Sequence, residues 1–273
     1  MWETIIIQPF INILLLIYEY LGQNFGIAII LFTILIRLLT YPLTVKQIKS
    51  SRALQDMNQD PDWIKVQEKY KGNKEKMAEE QMKFYKEKGV SPFSSCLPTL
   101  LQFPLILGLY QSVIRAMAQT PMQMFDLTKL VYPNFFNASE LLPLNNQFLW
   151  MNLGQPDLIE VSWLPFALPI MAVVVAATSY IQSKLITPPT SGAASGGAPD
   201  QGAQMGNMMA IYMPLFMGYL AYTLASGLAL YFVVSNLVGI GQYALMGNAH
   251  WENVMFWKKK TQEKNIQKSG YKK

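Results

Sequence analysis

The sequence holds one cysteine, Cys96, and one histidine, His250. A single cysteine excludes an internal disulfide, and the pair leaves no cluster of the kind that holds zinc. A lone histidine beside Trp251 also lacks the nucleophile-plus-orienter arrangement of a hydrolase or an intramembrane protease. No catalytic residue and no metal ligand is therefore assigned, and the chain is not expected to be an enzyme. Cys96 has no basic neighbour in sequence to activate its thiol and reads as a small apolar filler. Charge is scarce as well. Asp, Glu, Lys and Arg make up 14% of the chain, against 51% hydrophobic residues and a mean hydropathy of +0.18. That balance excludes an ordinary soluble domain and indicates several membrane spans. The glycines of residues 187–204 are followed by no Lys-Ser/Thr and preceded by no strand, so they make no phosphate loop and no cofactor is expected.

What is present is apolar and helical. The stretch Gly22–Leu43 is long enough to cross a bilayer and carries one full charge, Arg37. An arginine at the centre of such a span costs roughly 2.5–3.5 kcal/mol on insertion scales. Intramembrane charges face a bundle interior or a wet cavity, unless the side chain snorkels to the headgroups. Four more stretches are of spanning character: residues 92–115, 163–186, 205–225 and 226–247. The fold class expected is an all-α membrane protein of five transmembrane helices. Residues 1–21 read as an amphipathic helix lying in the interface, because Thr4, Gln8, Asn12, Glu19 and, just beyond, Gln23 recur near a helical period. The start MWETIII has Glu3 where a leader would carry positive charge. Residues 44–91 read as a helical hairpin. Asp60-Pro61 opens its first helix, Gly72-Asn73 separates the two, and the second runs from about Lys74 to Lys88 and ends at Gly89. Residues 116–162 read as a loop, in which Trp150 suits interface anchoring. Residues 187–204 read as a flexible linker, and 248–273 as a basic tail.

Charge distribution orients these pieces. The hairpin and the tail hold eighteen of the twenty-two Lys and Arg, while the 116–162 loop holds only Lys129. The positive-inside rule puts hairpin and tail in the cytoplasm. Five spans then place the N-terminus outside. No Asp or Glu falls within any of the five. Coupled transporters carry such acids, so their absence counts against one. It also leaves Arg37 without an acidic partner at its own depth, facing either the cytoplasm or a wet cavity that awaits a ligand. Tyr231, Phe232, Ser235 and Asn236 of the fifth span, with Gln102 and Gln182, are the candidate lining of that cavity. The bland alternative is that these polar groups only bond helix to helix, worth about 0.6 kcal/mol each on average. The functional alternative is a small-solute transporter or channel with Arg37 as an anion site.

Four stretches together resemble the YidC/Oxa/Alb membrane protein insertase family: residues 27–57 (IAIILFTILIRLLTYPLTVKQIKSSRALQDM), 66–111, 148–157 (FLWMNLGQPD) and 213–243 (MPLFMGYLAYTLASGLALYFVVSNLVGIGQY). They cover nearly the whole chain in the family's order. The resemblance implies an insertase and chaperone with a hydrophilic groove open to cytoplasm and lipid and closed to the outside. By motif position the groove arginine is Arg37. The resemblance also implies a bacterial cell membrane location without ATP hydrolysis. The partners it implies are nascent membrane proteins and the lipid bilayer, then the ribosome, signal-recognition targeting factors and the Sec translocon, with no direct DNA binding. Many members carry a large extracytoplasmic domain before the first span or a lipobox cysteine near the start, and neither is expected here.

Overall fold

Small polar residues set many of the helix ends. The computed structural model describes residues 1–46, 48–49, 60–70, 72–88, 97–118, 120–132, 143–159, 167–186 and 201–246, and of residues 74, 97–102, 186 and 201–210 the backbone alone. A π-helical turn, Glu3–Ile7, runs into α1, Gln8–Tyr20. The wide turn lies just before Pro9, which has no N–H to donate to the fourth carbonyl before it. Beyond α1, Gly22 takes a φ of 77°, the left-handed conformation that closes many helices. α2, Phe25–Leu39, begins at Asn24, whose side chain accepts from the Ile27 N–H at 3.2 Å. After Thr40 the chain is helical again over residues 41–46.

α3, Pro61–Lys69, and α4, Lys74–Glu87, are capped by Asp60 and Asn73. They pair through a small core in which the buried rings of Trp63 and Phe84 lie 5.4 Å apart. α5, Leu97–Ala116, carries Pro104 within it. The segment expected to be a loop holds structure of its own. α6, Pro121–Leu130, starts at a reciprocal capping box between Thr120 and Gln123, and that T-x-x-Q pattern was the signal for it. Strands β1, Gln147–Phe148, and β2, Met151–Asn152, pair antiparallel. Three further helices follow: α7, Ile170–Ile186; α8, Gln201–Thr223; and α9, Ser226–Leu245.

Two helix starts differ from expectation. α7 begins at Ile170 and not near residue 163. Leu168 is bridged to Ile159 in extended backbone, the conformation that Pro169 favours for the residue before it. α8 begins at Gln201, inside the stretch expected to be linker. Residues 187–200 and the tail 248–273 lie outside the described residues, as do Cys96, His250 and Gly89.

α9 is the hub of the bundle. It packs against α2, α5, α7 and α8, while α7 also packs along α8, and α1 along α2 and α5. Eleven of its twenty residues are buried, so its polar positions face neighbouring helices and not the surroundings. Gly227, Ala229, Ser235 and Gly239 are among them, and small residues of this kind let apolar helices approach closely. The main core gathers Phe25, Ile29 and Phe32 of α2, Leu109 and Val113 of α5, Val175 of α7 and Leu228 of α9. By length and composition Glu3–Tyr20 and Ser226–Leu245 could each cross a membrane, and Phe25–Leu39, Phe103–Ala116 and Ile170–Leu185 are shorter apolar helices.

Both ends of the first helical stretch meet the same end of the bundle. Near its start, Glu3 pairs with Arg115 at 2.7 Å and the Trp2 indole donates to Gln111 at 2.9 Å, in the last turns of α5. Near its finish, Tyr18 lies 6.1 Å from Phe25 in the first turn of α2. A β-carbon at Gly227, at the start of α9, would stand 3.1 Å from Val113 of α5 and 3.3 Å from Ile29 of α2, which places those helix ends together. The polar stripe is divided. Thr4, Glu19 and Gln23 are exposed, but Asn12 is buried. Its amide donates to the Leu130 carbonyl at 2.9 Å and its oxygen accepts from the Tyr132 N–H at 2.8 Å. Unbonded, that amide would be costly at such a position. Here it fastens α1 to the chain leaving α6.

Candidate functional site

The site is built where α2, α7 and α9 converge. Arg37 stands in the last turn of an otherwise apolar α2 and is half-buried. Its Nε donates to Ser235 Oγ of α9 at 2.9 Å, and Nη2 donates to the same oxygen. One hydroxyl thus receives two of the guanidinium's donors. No carboxylate among the described residues forms an ion pair with Arg37. The phenols of Tyr231 and Tyr243 lie close enough to interact with the guanidinium.

One turn beyond Ser235, Gly239 makes room for the third helix. A β-carbon at Gly239 would overlap the Gln182 amide of α7 and stand 3.9 Å from Arg37 Nη1. Another turn on, the Gln242 amide donates to the Arg37 backbone carbonyl at 3.4 Å. Gln242 Oε1 is buried and has no donor among the described residues, so it remains able to accept one.

Of the six companions named from sequence, five have described side chains and divide into three groups. Ser235 and Gln182 gather at Arg37. Asn236 faces α7, donating to Thr178 Oγ1 at 3.1 Å and Ser179 Oγ at 2.8 Å. Tyr231 and Phe232 are buried in the main core with ring centroids 5.6 Å apart. The Gln102 side chain lies outside the described residues. Sequence reasoning passed over Gly239, Gln242 and Tyr243. The spacing of 235, 239 and 242 is that of one helix face and was the available signal. Among the described residues no group of three or more His, Cys, Asp or Glu could hold a metal ion.

Away from the apolar helices, the α3–α4 pair carries a ladder of exposed ion pairs. Lys88 bonds Asp60 at 2.7 Å, and Lys83 bonds Glu79 and Glu80, each at 2.9 Å. The hydrogen bond from Lys88 holds the Asp60 carboxyl below the ordinary carboxylate range, and the bond from Lys83 does the same for Glu79. Both lysines are correspondingly raised, Lys83 chiefly by Glu80 and Lys88 by Asp60. Pairs this exposed add little stability.

The comparisons with known proteins bear on the whole arrangement. Residues 16–253 match the model of the 60Kd inner membrane protein family. The chain belongs to the YidC/Oxa/Alb insertase family. It is similar to the membrane protein insertase YidC of Clostridium perfringens, 34% identical over 250 residues, covering 87% of this chain and 89% of that protein. The similarity to the membrane protein insertase MisCA of Bacillus subtilis is 30% identity over 249 residues, 90% of this chain and 78% of that one. Among solved structures, an active YidC insertase with its first transmembrane domain resolved superposes with a TM-score of 0.53 at 24% identity. It matches 87% of this chain, which spans 45% of that longer one. At that identity the superposition speaks for the family's fold alone. Matches running from residue 16 to residue 253 include Arg37 and all of α9.

Proposed function

We propose that the chain is a membrane insertase and chaperone that passes the polar parts of nascent membrane proteins through a hydrophilic trench at Arg37. The observation that carries this reading is a guanidinium at the meeting of three apolar helices, held by a serine and paired with no described carboxylate. A charge there is costly unless water or a ligand reaches it. Arg37 Nη1 offers a donor and Gln242 Oε1 an acceptor, and Gln182, Tyr231, Phe232, Asn236 and Gln102 complete the proposed lining. α2, α5, α7, α8 and α9 are the five spans of this reading, with the α3–α4 hairpin and the tail in the cytoplasm and the N-terminus outside, in a bacterial cell membrane. The first helical stretch lies along the outer face. Its two ends meet the same end of the bundle, which supports that placement.

The free energy comes from the client. An apolar segment gains roughly 25 cal/mol per Å² on leaving water, so no nucleotide is needed. The obstacle is the polar flank, and a wet trench reaching partway across shortens its dry path. A membrane potential positive outside also favours outward transfer of acidic flanks. Nascent chains and lipid are the direct partners. The ribosome, targeting factors and Sec translocon would meet the cytoplasmic hairpin. The test is reconstitution into liposomes with a small single-span client. Protease-protected client is the expected result, and solute flux without insertion would move the protein to the transporter class.

A further inference from the structure

We propose that residues 145–157 form a clasp that sets the register of α7 against α9 and seals that end of the trench, with Asp157 as its positioning residue. Asp157 is 7% exposed, and a carboxylate buried to that degree requires donors. Both of its oxygens have one. Oδ1 accepts the Trp150 indole N–H at 3.1 Å, and Oδ2 accepts the Met171 backbone N–H at 2.8 Å. Met171 lies in the first turn of α7, where backbone donors lack partners within the helix and a negative charge opposes the positive end of the helix dipole.

The same loop supplies the start of α9, which has no side-chain cap of its own. Ser226 N–H donates to the Gln155 carbonyl at 2.7 Å, Gly227 N–H to the Leu153 carbonyl at 3.0 Å, and Ser226 Oγ to the Asn152 carbonyl at 2.7 Å. One short segment therefore satisfies orphan donors on two helices at once. Its other side reaches α1 and α2. Asn145 N–H donates to the Tyr18 hydroxyl at 2.9 Å, and Phe148 lies so close over Gly26 that a β-carbon there would overlap its ring.

The helices fastened by this clasp are those that form the polar node. A slip of α7 by one turn would carry Gln182 about 5.4 Å along α9. It would leave Gly239 and separate Asn236 from Thr178 and Ser179. The clasp itself stands on these bonds. Its sealing of the trench and its consequence for insertion rest on the trench reading above.

The test uses the full chain purified in detergent and, separately, in liposomes. Asp157→Asn replaces one acceptor with an amide that opposes an N–H donor. Gly227→Ala strikes the clasp from the α9 side, because its β-carbon would stand 3.0 Å from the Leu153 carbonyl. Loss of a hydrogen bond to a charged group raises local opening by about tenfold or more. Amide exchange over 170–174 and over 226–230 is expected to quicken together in Asp157→Asn, and again together in Gly227→Ala. A Thr33→Cys reporter in a Cys96→Ser background is the second readout, Thr33 being fully buried one turn from Arg37. An impermeant maleimide applied from the β-hairpin side should label it faster in both variants. Exchange that quickens at α7 alone in Asp157→Asn, or reporter labelling that stays unchanged, would overturn the proposal. If Asp157→Asn does not fold, Trp150→Phe removes one of the two donors and must give the same paired change at smaller size. A parent protein that inserts no client would count against the trench reading, and amide exchange would still decide the clasp.

Discussion

Replacing Arg37 with alanine removes the charge and both bonds to Ser235 at once. A client carboxylate 4 Å from the guanidinium at an effective dielectric of 20 would gain about 4 kcal/mol before desolvation. Desolvation and the engagement of Nε and Nη2 by Ser235 leave a net of roughly 1.5–3 kcal/mol, the range for a hydrogen bond to a charged group. That is a loss of about ten- to a hundredfold in insertion of a client with an acidic outward flank. A client with a neutral flank makes at most a neutral bond to the site, and should fall only about three- to tenfold. Arg37→Lys keeps the charge but not the fork that reaches Ser235 twice, so it should retain most of the acidic preference. The assay is protease protection in liposomes with paired clients differing only in the flank, read at equal protein and low salt. Equal losses for acidic and neutral clients in Arg37→Ala would refute the electrostatic role and leave Arg37 as a helix tie.

Other consequences are as direct. Gly239→Ala places a methyl against the Gln182 amide; overpacking of this kind costs about 1–3 kcal/mol, to be seen as a lower thermal midpoint in detergent and reduced insertion of every client. Trp63→Ala empties the small core it shares with Phe84 and should cost about 3–5 kcal/mol. That unfolds α3 and α4, seen as faster proteolysis there, while the apolar helices keep their melting point. The α3–α4 ion pairs make its helicity depend on pH. Asp60 and Glu79 are depressed, so their contribution is present at neutral pH and is lost as pH falls through and below the ordinary carboxylate range. Lys83 and Lys88 are raised, so the same pairs weaken only as pH climbs above the ordinary lysine range. Circular dichroism of the hairpin peptide, flat through neutrality with a decline in acid, checks the sign; a maximum in acid would contradict it.

Local chemistry was readable wherever one residue decides an outcome. Asp60 and Asn73 mark helix starts by their own side chains, and Arg37 stands out because nothing else in its stretch is charged. Contacts across the chain were not readable. Ser235 could be named as a candidate, but its partner stands 198 residues away. Asn236 has the same amide chemistry as Gln242, yet one faces α7 and the other the Arg37 carbonyl. Only helix rotation decides which. Asn12 belongs by period to a wet face, but α6 supplies a buried seat for it. Asp157 read as one acid among four in a loop. Its two donors come from residues 7 and 14 positions on either side of it, a separation that no short-range rule catches.

α9 is both the hub and, among the described helices, the last to be synthesised. α2 makes its main helix contacts with α1 and α9, so Arg37 is synthesised nearly two hundred residues before the serine that holds it. During that interval the arginine lacks the hydroxyl that takes two of its donors in the finished bundle. Chains cut short before Ser226 would lack both Ser235 and the hub helix, and the two guanidinium donors that Ser235 takes would stay open.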